Sequence, residues 1–194
     1  LEEAEASLRQ AVKLDPNNAE SYSNLGVTLK EMDRLKEAEV SLRRSIALQP
    51  KDAQAHNNLG VVLRVMGRLE EAEINLRQAV ALNPNNDEFC SNLGNALKGL
   101  GKLEEAAESY KQAIALNPNF LSAKHMLAAL TGETTATAPR DYVEGLFDQY
   151  AAKFDSSLVD SLDYKIPKII ADIMMKDKEH SLLGSVLDLG CGTG

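Results

Sequence analysis

The chain has 194 residues, 44% hydrophobic and 26% charged, with 21 lysines and arginines against 29 aspartates and glutamates. This composition excludes a disordered polymer and predicts a packed core, while a net charge of −8 excludes a general attraction to nucleic-acid phosphates or an anionic membrane surface. No run reaches the ~18 consecutive apolar residues of a membrane span, and the only two cysteines, Cys90 and Cys191, give no disulfide framework, which fits a reducing cytoplasmic setting. His56, His125 and His180 lie too far apart in sequence for metal-ligand spacing, so no metal is expected. Leu1-Glu2-Glu3-Ala4 carries neither a start methionine nor a signal pattern and reads as a cut edge.

In chain order, the first signal is a period. Pro16, Pro50, Pro84 and Pro118 stand 34 residues apart, each after Leu-Asp, Leu-Gln or Leu-Asn. Asn24-Leu25-Gly26, Asn58-Leu59-Gly60 and Asn92-Leu93-Gly94 recur in phase, and so do Arg34-Leu35-Lys36-Glu37-Ala38, Arg68-Leu69-Glu70-Glu71-Ala72 and Lys102-Leu103-Glu104-Glu105-Ala106. These residues resemble the tetratricopeptide repeat, a helix-turn-helix unit of that length. The resemblance implies a right-handed superhelical solenoid of antiparallel helix pairs. Its boundaries are a partial repeat at 1–18, complete repeats at 19–52, 53–86 and 87–120, and a capping helix at 121–130.

Each unit reads as a helix A and a helix B. In the repeat at 53–86, His56, Leu59, Gly60 and Leu63 follow the i, i+3, i+4, i+7 spacing of a buried face, and Gly60 removes the side chain where helix B approaches. Helix B then buries Leu69, Ala72, Leu76 and Ala79. His56 and Cys90 occupy the fourth position of their repeats and are expected to pack within the helix pair.

At 100° per residue, the second, fifth, sixth, ninth, twelfth and thirteenth positions of helix A face the other way, into the inner groove. The sixth is Asn24, Asn58 or Asn92 and the twelfth Lys30, Arg64 or Lys98. An asparagine amide donates and accepts, so a ladder of three can pair with the backbone of an extended peptide without reading its sequence, and the cations add a preference for acidic groups. Bonding between neighbouring helices is the other role open to the asparagines, and a solvated face the other role open to the cations. In this Asn-Leu-Gly phasing the array is similar to the repeats of O-linked N-acetylglucosamine transferases, a resemblance that implies a groove for substrate peptides. The partners expected are a protein or peptide, or a second copy of the chain.

Residues 131–140, from Thr131 to Arg140, lack apolar periodicity and read as a linker. Beyond it, Tyr142, Leu146, Phe147, Tyr150 and Phe154 share one helical face behind an Asp141 N-cap, and Ile166, Ile169, Ile170 and Ile173 form a second amphipathic helix with Pro167 in its first turn. The last segment, Ser185-Val186-Leu187-Asp188-Leu189-Gly190-Cys191-Gly192-Thr193-Gly194, is a short apolar strand entering a glycine-rich turn. It resembles motif I of the class I S-adenosylmethionine-dependent methyltransferases. Leu146 to Asp155 is similar to the segment that precedes that motif, and with the repeat array the order resembles predicted methyltransferases bearing N-terminal tetratricopeptide repeats. The resemblance implies that 141–194 opens an α/β Rossmann-like domain. Asp188, Gly190, Cys191, Gly192 and Gly194 would form its cofactor loop, with Tyr150 and Phe154 covering the cofactor. A nicotinamide fingerprint or a Walker A loop would each need residues past Gly194, and Asp188 two places before the first glycine favours the methyltransferase.

The expectation is therefore a mostly α chain that is the amino-terminal part of a longer protein. It would be a peptide-binding arm presenting a substrate to a methyltransferase, or else a non-enzymatic interaction scaffold. No catalytic residue is identified, and S-adenosylmethionine is expected in the parent protein rather than on this chain.

Overall fold

The computed structural model describes residues 1–132. Among the described residues there are eight helices and no strand: α1 (Glu2–Leu14), α2 (Ala19–Glu31), α3 (Leu35–Leu48), α4 (Ala53–Val65), α5 (Leu69–Leu82), α6 (Asp87–Gly99), α7 (Leu103–Leu116) and α8 (Leu121–Thr131). The 34-residue units appear as the pairs α2/α3, α4/α5 and α6/α7, preceded by a lone helix B and followed by a lone helix A. Helix α8 runs one residue past the predicted end and closes on Gly132 in the left-handed conformation, φ 76°. The remaining linker, the helices predicted within 141–194 and the strand with its glycine loop lie outside the described residues.

The period works because both kinds of turn repeat. Before each helix A a short polar side chain caps the chain: Asn18 Oδ1 accepts from Ser21 N, Asp52 Oδ1 from Gln54 N and Ala55 N, and Asn86 Oδ1 from Phe89 N. After each helix A the chain passes through a left-handed residue, Asp33 (φ 57°), Gly67 (φ 77°) or Gly101 (φ 73°). The next residue then bonds back into the helix, Arg34 N to Leu29 O, Arg68 N to Leu63 O and Lys102 N to Leu97 O, each 2.9 Å. This closure satisfies carbonyls at the end of helix A and turns the chain into helix B.

Within each pair a glycine receives a large side chain. A Cβ on Gly26 would sit 2.5 Å from Leu42 Cγ, on Gly60 2.5 Å from Leu76 Cγ, and on Gly94 2.7 Å from Tyr110 Cε1. Leu42, Leu76 and Tyr110 are fully buried, as are Ala38, Ala72 and Ala106, whose small size brings the two helices together. Each buried leucine contributes about 1.5–3 kcal/mol. The expected face of the second repeat is observed at Leu59, Gly60, Leu63, Ala72, Leu76 and Ala79, while Leu69 and His56 are only half-buried.

Neighbouring B helices are joined by ion pairs that repeat with the period. Arg9 and Arg34 each bind Glu5 and Glu37; Arg43 and Arg68 each bind Glu39 and Glu71; Arg77 binds Glu73 and Glu105, and Lys102 binds Glu73. In the last unit the series stops, because Ala107 stands where Glu5, Glu39 and Glu73 stood.

Candidate binding groove

Helix A of one unit packs beside helix A of the next, α2 against α4 and α4 against α6, and their shared surface holds two adjoining clefts. The first, about 110 Å³, is lined by Lys30 and Val27 of α2, Asn57, Asn58 and Val61 of α4, and Glu88 and Asn92 of α6. The second, about 590 Å³, lies toward the helix N-termini and contains Glu20, Ser23, Asn24, Gln54, Asn86 and Phe89. The structure thus brings Lys30, Asn58 and Asn92 into one cleft and places Asn24 in its neighbour.

The three asparagines differ in what holds them. Asn24 is exposed with an unengaged side chain. Asn58 is half-buried and accepts from Gln54 Nε2 at 3.0 Å, which leaves its own amide N–H group free to donate. Asn92 is half-buried, and its Nδ2 donates to Asn57 Oδ1 at 2.9 Å across the α4/α6 boundary. At this one rung the asparagine makes the interhelical bond that was the alternative to ligand contact, and its carbonyl oxygen remains to accept.

Burial refines the angular assignment at one position. Ser23, Asn57 and Ser91, fifth in their repeats and expected to line the groove, are buried at 8%, 1% and 5% exposure, so that Ser23 and Asn57 border the clefts from beneath the surface. The A helices sit so close together that this position becomes their mutual contact. Asn57 escapes a reading of the sequence as a structural residue for that reason: a lone helix carries no mark of how near its neighbour comes.

The groove is polarised along α2 and α6, while α4 has Gln54 in place of the acid. The second position of helix A carries Glu20 and Glu88 and the twelfth Lys30, Arg64 and Lys98, ten residues or about 15 Å away. Lys30 and Arg64 are half-buried and Lys98 is exposed at the rim. Burial pushes the Arg64 guanidinium below its ordinary value, against an opposing effect of Tyr110, and Arg64 Nε is buried without a hydrogen-bond partner. Burial also pushes the Lys98 ammonium down, and the charge of Arg64 adds to it.

Neither Cys90 nor His56 is placed for chemistry. Cys90 is 1% exposed, and burial, with the Asp87 charge second, raises its thiol above the usual value. His56 is held between Asn75 Oδ1, 3.3 Å from Nδ1, and Pro50 O, 3.1 Å from Nε2. Among the described residues no group of three or more His, Cys, Asp or Glu is placed to hold a metal ion, and no helix is long and apolar enough to cross a membrane. Tyr150, Phe154, Asp188, Gly190, Cys191, Gly192 and Gly194 lie outside the described residues.

Models of the tetratricopeptide repeat match residues 19–52, 53–86 and 88–120, and a further model described as TPR repeat matches 1–33. The chain belongs to the tetratricopeptide-repeat family. Comparison with curated proteins found no match. Among solved structures the chain is similar to MamA from Desulfovibrio magneticus RS-1, with 24% identity and a TM-score of 0.64 over 68% of this chain and 74% of the other. It is also similar to pilF of Pseudomonas aeruginosa, with 29% identity and a TM-score of 0.64 over 68% of this chain and 60% of the other. A third structure, the first TPR of Spaghetti (RPAP3) bound to the HSP90 peptide SRMEEVD, gives 24% identity and a TM-score of 0.59, covering 61% of this chain and 94% of the other.

Proposed function

We propose that the tetratricopeptide array is a peptide-binding arm whose groove holds an extended segment of a partner protein. The observation that carries this reading is the first cleft, where Asn58, Asn92 and Lys30 converge with amide and ammonium groups available beyond their internal bonds. An extended backbone offers alternating N–H and C=O groups, and side-chain amides meet both without demanding a particular sequence. The solved array of Spaghetti, which shares the fold, carries a bound peptide.

The finer reading joins this arm to an enzyme. On the sequence resemblance of 141–194 to the opening of a class I methyltransferase, the arm presents a protein or peptide substrate for methylation, with Asp188 and the Gly190 to Gly194 loop on the S-adenosylmethionine side. The coarser reading is an interaction scaffold without an enzyme.

The test of the arm is direct. Peptides are selected from a random display library on the full chain, and their affinities are compared with the Asn24→Ala/Asn58→Ala/Asn92→Ala variant by fluorescence anisotropy. Each lost amide contact is worth about 0.5–1.5 kcal/mol, so the triple variant should bind at least tenfold more weakly. Unchanged affinity removes the ladder. For the enzymatic reading, S-adenosylmethionine is titrated calorimetrically into a protein carrying the complete C-terminal domain; micromolar binding supports it and none leaves the scaffold. The 194-residue chain itself should give no measurable heat.

A further inference from the structure

Between the second and third units the B-helix face holds a cleft of about 350 Å³ that is separate from the groove. It opens between α5 and α7 and reaches down to Leu93 and Leu97 of α6, an apolar floor with Val80 of α5 and Ser109 of α7 in its walls. One unit earlier the corresponding positions are filled differently: Ile46 stands where Val80 does, Asn75 where Ser109 does and Ile74 where Glu108 does. The first two exchanges take bulk out of the walls. Leu93 shows the result, for it is 7% exposed against 2% for its counterpart Leu59. The Ser109 hydroxyl turns back onto its own helix and donates to Glu105 O at 3.0 Å, so it places no unmet donor in the wall.

The third exchange changes the charge of the mouth. Arg77 and Glu105 line it from α5 and α7 and bind each other, and Arg77 also binds Glu73. Glu108 is a further carboxylate outside this repeating series of pairs, at a position where the first two units expose Val40 and Ile74. Its ion pair is with Lys111, one turn on and 3.8 Å away, and both side chains are more than half exposed. A pair this long and this open to water is worth little and is readily exchanged for a closer one. The mouth thus has two carboxylates and one guanidinium, above a floor of leucine.

We propose that this cleft is a docking site for a long basic side chain, lysine or arginine, of a partner protein. The occupant follows from the two levels of the cleft. Leu93, Leu97 and Val80 receive an aliphatic stem, and the Glu105 and Glu108 carboxylates at the mouth receive the cation at its end. An acidic side chain would meet like charge there, and a wholly apolar one would leave the second carboxylate without a close partner. The site lies on the B helices and does not depend on what the groove holds.

The test is a methyl-detected NMR titration of the full chain. The Leu93 and Val80 methyl resonances, identified by their absence in Leu93→Met and Val80→Ile, are followed during addition of Nα-acetyl-lysine N-methylamide, Nα-acetyl-arginine N-methylamide, the uncharged Nα-acetyl-norleucine N-methylamide, and n-butylammonium. Saturable shifts are expected with the two basic residues, and severalfold weaker binding with the norleucine compound. Glu108→Gln should weaken the response to the basic residues about two- to fivefold, as the loss of a rim ion pair does. Val80→Ile/Ser109→Asn, which rebuilds the walls with the residues found one unit earlier, should abolish the Leu93 response; if that variant melts lower than the parent chain, Glu108→Gln, a change at an exposed position, decides alone. No shift with either basic residue, equal binding of the norleucine compound, or an unweakened response in Glu108→Gln overturns the proposal. A shift with n-butylammonium and none with the blocked residues would place a small free amine in the cleft and overturns the docking role. The asparagine triple variant should keep the full response, so failure of the groove and failure of this site are read separately.

Discussion

Asp33 is the one non-glycine residue with a left-handed backbone among the described residues, and it sits where the next two units place Gly67 and Gly101. A Cβ there meets the following carbonyl, so Asp33→Gly should stabilise the fold by about 1 kcal/mol, and Gly67→Ala should cost a similar amount in chemical denaturation. At Gly60 the conflict is with a side chain instead. The new methyl of Gly60→Ala would fall 2.5 Å from Leu76 Cγ, and overpacking of this kind costs about 1–3 kcal/mol. Adding Leu76→Ala should recover part of that loss, because the two positions share one space; strict additivity of the two changes would show that they do not. The amino-acid sequence by itself makes Gly60 and Leu76 legible, since a glycine in phase with a leucine announces a close helix approach. The bond that Tyr110 Oη donates to Asn95 Oδ1 at 2.8 Å is not legible in the same way, although Asn95 in place of Val27 and Val61, and Tyr110 in place of Leu42 and Leu76, both stand in the aligned sequence. Only the packing of α6 on α7 shows that the two residues meet.

At the scale of helices, the ion pairs between B helices fix one unit against the next. Burial raises the Glu39 carboxyl, but hydrogen bonds from Arg43 and Arg68 and their charges outweigh it, so its pKa lies below the usual range; Glu73 is held down in the same way by Lys102 and Arg77. A folded-state pKa below the unfolded value of about 4.3 means stability that is present above that pH and lost as the pH falls through the folded value. The melting temperature should therefore hold from neutral pH down to about 5 and fall below it. Glu39→Gln/Glu73→Gln should melt lower at neutral pH and show a flatter acid limb, and an acid limb of unchanged steepness would assign the pH sensitivity elsewhere. The helix pairs themselves can be bounded from proline phase and apolar spacing, to within a residue at α8. The tightness of the A-helix packing, which buries Ser23, Asn57 and Ser91, cannot, because periodicity gives a direction around one helix and not a distance to the next.

Across the whole array, close backbone packing runs between helices adjacent in the chain and between successive A helices, and ion pairs join successive B helices, so stability is a sum of units and their interfaces. Helix α1 buries none of its residues, whereas α4 and α6 bury six and seven. Hydrogen exchange followed by mass spectrometry should find α1 open first and α4 to α6 last; uniform exchange would indicate a single all-or-none unit. The ion pairs also have a consequence for how such a chain can change its length. If the segment 53–86 were cut out whole, Glu39 would meet Lys102 and Arg43 would meet Glu105, the same signs at the same separations, because each partner lies a fixed number of residues further along. A cut that is not a multiple of 34 residues would set arginine against the wrong side chain and leucine against something larger than glycine. The array is in this sense a ruler marked in steps of 34 residues, with one asparagine at each graduation, and its length grows or shrinks by whole graduations.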